Sequence, residues 1–126
     1  MSEKEIIYGQ VVSKANNYMA VPGNGGEKRI IKSAEVRNYE KSFLRQCKVY
    51  RNRLISRPFK FVVDVFESSM RYDLDNALKT LLDCLQYARA ITDDNKCRQI
   101  LATKHIDPKN PRVVFSIEEY EPRLFY

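Results

Sequence analysis

Acidic residues gather in one stretch of an otherwise basic sequence. Residues 71–80 contain Asp73 and Asp75, and a second acidic pair follows at Asp93 and Asp94. Because Asp73 and Asp75 are two positions apart, their carboxylates point to the same side on extended backbone. Such carboxylates repel each other unless a cation lies between them, and Mg²⁺ prefers oxygen ligands of this kind. The pattern therefore predicts a divalent metal site.

A metal held there would suit the hydrolysis of phosphodiester bonds. It would polarise a phosphate oxygen, lower the pKa of an attacking water and stabilise the leaving 3′ oxygen. Lys79 lies one helical turn after Asp75 and would neutralise charge in the transition state, while Asn76 would orient a water or a ligating carboxylate. Structural roles remain open as well, because these residues also suit helix capping, an i, i+4 ion pair and a turn at Asp93. The combination of residues favours chemistry.

A helix predicted over residues 75–89 positions these groups. Leucines mark one face of it, spaced at about 100° per residue, and are expected to pack on a sheet: Leu74, Leu78, Leu81, Leu82 and Leu85. The opposite face presents polar and charged side chains: Asp75, Asn76, Lys79, Asp83 and Gln86.

Other patterned segments predict the rest of the fold. Strands are predicted over residues 5–12, 29–32, 58–67, 97–106 and 112–119. Ser33 is a good N-cap for a first helix over residues 34–50. Residues 13–27 predict a loop, either functional or a plain hairpin connection, and residues 107–111 a hairpin-like link. The strand over 58–67 is apolar on both sides, so we expect both faces of the sheet to be covered at least in part. These elements predict one domain over residues 1–126, with four to five strands and two main helices.

A basic surface accompanies the acidic stretch. The net charge is +6, the pI is about 9.3, and residues 28–60 contain eleven Lys or Arg against two Asp or Glu. This excess favours a polyanionic partner, because neutralising phosphates releases counterions, although a solvated helix face is the alternative. The side chains that we expect to contact DNA are Lys14, Lys28, Arg29, Lys32, Arg37, Lys41, Arg45 and Arg71.

Several classes of protein are disfavoured by the composition. No apolar run approaches the roughly 20 residues that span a membrane, and the N-terminus lacks the pattern of a signal peptide. Cys47, Cys84 and Cys97 are widely spaced and include no Cys-x-x-Cys pair, which favours reduced thiols over structural zinc. We therefore expect a cytoplasmic protein without a membrane partner.

The acidic motif is similar to that of a known family. Asp73-Leu-Asp75-Asn76-x-x-Lys79, with Asp83-x-Leu85 and Asp93-Asp94, resembles the signature of RusA-type Holliday-junction resolvases, small endonucleases common in bacterial prophages. The resemblance is specific over residues 71–96. It implies a mixed α+β fold and a homodimer that nicks two opposed strands of a four-way DNA junction.

The resemblance also implies roles for individual residues. It assigns Mg²⁺, with Mn²⁺ as a substitute, to Asp73, Asp75 and Asp94, and it makes Lys79 the assisting lysine. Asn76, Asp83 and Asp93 would then surround the metal without holding it directly. Tyr72 departs from the pattern, since a second basic residue is expected before the first aspartate, and this leaves the DNA contact at that position open.

The sequence thus predicts a Mg²⁺-dependent, structure-selective endodeoxyribonuclease that acts on branched DNA and leaves 5′-phosphate and 3′-hydroxyl ends. One alternative is a nuclease that acts on flaps, forks or single strands. Another is a non-catalytic basic module that binds nucleic acid.

Overall fold

The computed structural model describes residues 3–13, 18–22 and 28–122, with side chains for all of these except 18–22 and 28–31. Along this part of the chain the elements are β1 (Glu5–Tyr8), β2 (Tyr18–Pro22), β3 (Lys28–Lys32), α1 (Ala34–Gln46), β4 (Phe59–Glu67), α2 (Leu74–Tyr87), a 3₁₀ helix (Asp94–Lys96), β5 (Cys97–Ile106) and β6 (Arg112–Glu119). The predicted bounds of the last two strands are confirmed at both ends.

The main sheet has four strands in the order β1-β6-β4-β5. β4 is parallel to β5 and antiparallel to β6, and β6 is antiparallel to β1. The strands β2 and β3 pair separately as an antiparallel hairpin. With two helices and a mixed sheet, this arrangement confirms the predicted α+β fold.

Alternation along β4 places the core on one face of the sheet. Phe59, Phe61, Val63 and Val65 are buried and cluster with residues of both helices. Phe115 of β6 lies at the centre of this core, with its ring 6.0 Å from that of Phe43 and 5.7 Å from those of Tyr50 and Phe61. The helices therefore share one face of the sheet.

The predicted leucine face of α2 does pack on the core, but it is not the centre of the contact. Leu81 and Leu85 are buried, and Leu74, Leu78 and Leu82 are partly buried against the core. The other buried positions are Ala77, Thr80 and Cys84. Small side chains at Ala77 and Cys84 let the helix approach the sheet closely. Thr80 is tolerated there because its Oγ1 donates a hydrogen bond to the Val12 carbonyl oxygen at 2.8 Å.

The opposite face of the sheet carries no helix within the described ranges. Lys60, Val62, Asp64 and Phe66 of β4 are half-buried there. The Phe66 ring lies 4.5 Å from that of His105 and 3.8 Å from the Arg112 guanidinium. The expectation that both faces are covered at least in part is thus met on this face by neighbouring side chains, without a helix in the part of the chain that the structure describes.

Three predicted segments need correction. β1 ends at Tyr8 instead of residue 12, because Gly9 adopts a positive φ of 109° that breaks the strand. The segment predicted as a loop over residues 13–27 contains β2, an apolar run that pairs with β3, so the hairpin alternative is confirmed. α1 ends at Gln46 instead of residue 50. The loop positions within 14–17 and 23–27 lie outside the described residues.

The link over residues 107–111 is not a hairpin. β5 and β6 lie on opposite sides of β4, so the link crosses the end of β4, where the Asp107 amide donates to the Glu67 carbonyl at 2.8 Å. The crossover through α2 makes β5 parallel to β4, and the next strand then pairs on the free side of β4. This arrangement leaves β5 as an edge strand.

Candidate functional site

Asp73 and Asp75 stand at the start of α2, immediately after the turn that leaves β4. Asp73 is the N-cap residue, with extended backbone at φ −88° and ψ 132°, and its carboxylate makes no capping hydrogen bond. In the described part of the chain, its Oδ2 accepts one long hydrogen bond, from the Asn76 side-chain amide at 3.4 Å. Capping therefore does not account for the Asp73 carboxylate, which remains available to a ligand.

Asp75 and Lys79 are exposed one turn apart on α2. In the described part of the chain, neither side chain forms an ion pair with another residue. The i, i+4 pair that the sequence allows is thus not made. Both side chains face solvent close to Asp73. The Asp75 carboxylate is therefore free to bind a cation, and the Lys79 ammonium is free to bind an anion such as a phosphate.

The second acidic pair is tied to the other end of α2. The Asp94 amide donates to Gln86 Oε1 at 2.6 Å, and the Asn95 amide donates to Asp93 Oδ1 at 2.9 Å. Asp94 begins the 3₁₀ helix that ends at Lys96, and β5 follows at Cys97. Gln86, which was predicted on the polar face of α2, therefore fixes where Asp94 lies.

The carboxyls in this second group interact with one another. Loss of solvation raises the pKa of Asp94, and a hydrogen bond to Asp93 and the charge of Asp83 raise it further. The hydrogen bond from the Asn95 amide lowers the pKa of Asp93, and so does its bond with Asp94. Repulsion among carboxylates at close range is what a bound cation would relieve.

A single chain keeps the two acidic groups apart. Gln86 lies eleven positions after Asp75 on the helix, which corresponds to about 16 Å along the axis at a rise of about 1.5 Å per residue. Among residues 3–13, 18–22 and 28–122, no group of three or more Asp, Glu, His or Cys side chains could hold a metal. The structure brings together Asp83, Asp93 and Asp94, and separately Asp73 and Asp75, but not the three predicted metal ligands.

Sequence reasoning missed Glu67, the last residue of β4. Its side chain is 1% exposed and lies near Asp73, whose charge raises the pKa of Glu67 after the larger effect of burial. Alternation along β4 carries the signal that was overlooked, because residue 67 continues the core-facing series 59, 61, 63 and 65. An acidic residue at a core-facing position requires an explanation.

Arg71 and Tyr72 border a groove beside Asp73. The Arg71 guanidinium donates to the Tyr72 hydroxyl at 2.9 Å and lies 4.9 Å from the centre of the ring. This hydrogen bond, followed by one from Ser68, lowers the pKa of Tyr72. The groove has a volume of about 410 Å³ and is also lined by Gln10, Ser13 and Glu35.

The predicted DNA-binding residues fall into three groups. Arg37, Lys41 and Arg45 are exposed on α1, opposite its buried stripe. Lys32 forms an ion pair with Glu40 at 3.0 Å and donates to the Tyr87 hydroxyl, so part of its charge is used within the fold. Lys28 and Arg29 lie in β3 with side chains that are not described, and Lys14 lies outside the described residues.

Comparison with known proteins supports a nuclease. The family model described as endodeoxyribonuclease RusA matches residues 9–118. The chain therefore belongs to the RusA family of endodeoxyribonucleases. No curated protein matches the sequence. In the described part of the chain, neither helix is long and apolar enough to cross a membrane.

Gln86→Leu tests whether the tether on Asp94 matters for the reaction. The change removes the acceptor for the Asp94 amide, so the aspartate loses its fixed position, and we expect metal-dependent DNA cleavage to fall by about 10- to 100-fold. The free energy of unfolding should fall by only about 1 kcal/mol, the usual contribution of one hydrogen bond. Cleavage rates and urea denaturation measure the two effects.

Gln46→Leu is the matched control. Gln46 also joins a helix end to distant backbone, accepting from the Tyr8 amide at 2.7 Å and donating to the Tyr8 carbonyl at 2.9 Å. Its loss should lower stability and leave cleavage by the folded protein unchanged. Equal loss of cleavage in both variants would mean that Gln86 acts only through stability.

Proposed function

We propose that the protein is a Mg²⁺-dependent, structure-selective endodeoxyribonuclease that resolves four-way DNA junctions by paired nicks. The observation that carries this proposal is the pair of carboxylates at Asp73 and Asp75, neither of which is used to cap or pair α2. Membership of the RusA family supports the reaction class. The substrate, the metal and the symmetry of cutting are the proposed parts.

The donor set fits a hard divalent cation. Asp73 and Asp75 offer exposed carboxylate oxygens, and Asp94 offers a third whose surroundings already disfavour its negative charge. When bound, Mg²⁺ or Mn²⁺ would lower the pKa of the attacking water and stabilise the leaving 3′ oxygen. Lys79 presents its ammonium beside Asp75, where it would bind the phosphate and offset its growing charge.

A basic surface on α1 would bind the arms of the junction. Arg37, Lys41 and Arg45 lie on the solvent side of the helix, and all three are exposed. The N-terminal end of α1 borders the groove next to Asp73, since Glu35 and Arg71 line that groove together. Phosphates held along α1 would therefore continue towards the acidic residues.

A second copy of the chain would complete the metal site. Asp75 and Gln86, the residue that holds the Asp94 amide, lie about 16 Å apart along the axis of α2. The three aspartates would therefore share a metal if one of them came from another subunit. A two-fold homodimer supplies each subunit's missing carboxylate reciprocally and creates two equivalent sites. A four-way junction also has two-fold symmetry, which suits one cut on each of two opposed strands.

The edge strand β5 is the surface that we assign to this dimer. Asp94 immediately precedes β5, and the segment before Asp73 is held near its other end, where Lys104 Nζ donates to the Met70 and Tyr72 carbonyls. Antiparallel pairing of two β5 strands would therefore bring Asp94 of one subunit towards Asp73 of the other. Ile100 and Leu101 are 41% and 54% exposed, an unusual composition for a long edge that stays unpaired.

Cleavage of an end-labelled four-way junction tests the activity. Wild-type protein with Mg²⁺ should make paired, symmetric nicks, and Asp75→Asn should lower cutting at least about 100-fold while it retains junction binding, because a ligand that stabilises the transition state is lost. Asp64→Asn is the matched control, since Asp64 pairs with His105 at 2.8 Å on the face away from the helices. It should cut normally.

The substrates and the metal decide between the alternatives. Faster cutting of flaps, forks or single strands than of junctions would contradict resolution and support a different nuclease. Tight binding without any cutting in Mg²⁺ or Mn²⁺ would indicate a non-catalytic DNA-binding module. Asp73 would then serve only as the N-cap residue of α2 and Asp93 only as a turn residue.

Mixed dimers test whether each site contains residues of two subunits. Asp75→Asn and Asp94→Asn should each be inactive. Their mixed dimer, purified through two different tags, should regain one of its two sites and make single nicks. The reverse pairing of wild type with an Asp75→Asn/Asp94→Asn double variant should be inactive. If each site forms within one chain, the dimer of the two single variants should be inactive and the dimer with the double variant should make single nicks. That outcome would contradict the dimer proposal.

Ile100→Lys tests the β5 edge. Pairing two strands would place like charges across the two-fold axis, so the variant should become monomeric by light scattering and lose cleavage. Ile6→Lys on the other edge of the sheet is the control, because Ile6 is also 41% exposed and should leave the dimer intact. A dimeric Ile100→Lys protein would show that the subunits meet elsewhere.

A further inference from the structure

Glu67 is a buried carboxylate that the roles assigned so far do not explain. It is 1% exposed, and its Oε2 has no hydrogen-bond partner among the described residues. Burial raises the pKa of Glu67, and the charge of Lys104 and the Gln10 amide lower it. A buried carboxylate oxygen without a partner costs free energy, so such an atom usually serves a ligand or is held in place for one.

Glu67 and Asp73 line the same small cavity. A cavity of about 10 Å³ is lined by Val11, Ser13, Glu67, Tyr72, Asp73 and Ala77. A cavity of that size accepts about one water-sized sphere, which is also the scale of a single metal ion or its water. Asp73 and Glu67 both line this cavity, and the charge of Asp73 acts on the Glu67 carboxyl.

An ion pair with Lys104 is the simplest structural role for Glu67, but it leaves the carboxylate incompletely satisfied. Lys104 Nζ is 3.9 Å from Oε2, too far for a hydrogen bond. The lysine instead donates to the Met70 and Tyr72 carbonyls. Lys104 thus holds the turn before Asp73 in place and provides charge, while Glu67 Oε2 has no hydrogen-bond partner among the described residues.

We propose that Glu67 is a further ligand of the divalent metal, supplying Oε2 beside Asp73. This inference rests on the proposed function and extends its metal site by one residue. β4, an inner strand of the sheet, would then contribute a ligand from its last residue, and α2 would contribute Asp73 and Asp75 from its start. In the proposed dimer, Asp94 of the second subunit would complete the set.

Metal binding without DNA tests the assignment. Mg²⁺ and Mn²⁺ are titrated by calorimetry into the wild-type protein and into Glu67→Gln, Glu67→Asp and Asp75→Asn. Glu67→Gln should lose at least about tenfold in affinity for the metal, because one oxygen ligand becomes an amide. Its melting temperature in EDTA should be unchanged or higher, because the change removes a buried charge whose Oε2 lacks a hydrogen-bond partner.

Glu5→Gln is the matched control. Glu5 is a buried carboxylate on β1 whose Oε1 accepts from the Val49 and Tyr50 amides at 2.7 and 3.2 Å. Its replacement should lower the melting temperature and leave metal affinity unchanged. A purely structural Glu67 would behave in the same way as Glu5, with lower stability in EDTA and normal metal binding.

The outcomes separate this inference from the proposed function. If the wild type binds neither metal, both fail. If the wild type binds metal, Asp75→Asn does not, and Glu67→Gln binds normally, only the role of Glu67 is overturned. If Glu67→Gln does not fold, Glu67→Asp decides, because its shorter carboxylate keeps the charge: affinity weakened by about tenfold supports the ligand, and unchanged affinity excludes it.

Discussion

The rigidity of α2 is the constraint on which the arrangement of the site depends. A helix of fourteen residues from Leu74 to Tyr87 cannot shorten or fold back, so it places Asp75 and Gln86, which holds the Asp94 amide, about 16 Å apart along its axis. Ala77 and Leu81 on its buried face belong to the core. A metal that binds both acidic groups would therefore take one group from each of two copies of α2.

The sheet adapts to this constraint through its strand order. Because α2 is the crossover between two parallel strands, β5 emerges at the edge, with Asp94 before its start and Lys104 near its end. An exposed edge of ten residues invites pairing with another chain, and natural proteins usually block it. Here the apolar side chains of Ile100 and Leu101 leave it open, which is consistent with a surface that is paired when the protein works.

The sequence predicted local features well and spatial relations poorly. Periodicity located α2, β5 and β6, and the spacing of Asp73, Asp75 and Lys79 led to the nuclease family, because these signals depend on neighbours within a few residues. β2 was missed since its short apolar run lies between strong turn signals. The separation of Asp75 from Asp94 follows from the length of the predicted helix, yet the motif alone suggested that the turn brought them together.

The proposed division of the metal site between subunits would also give selectivity to a basic nuclease. If Arg37, Lys41 and Arg45 bind phosphates as proposed, they do so without regard to sequence, and selectivity would have to come from the arrangement of the two sites. If each site requires residues of two subunits, a monomer has no active site and a dimer has two, which are related by the two-fold axis. Both scissile phosphates would then have to fit one two-fold frame, so the spacing and angle between the two sites would decide which DNA is cut.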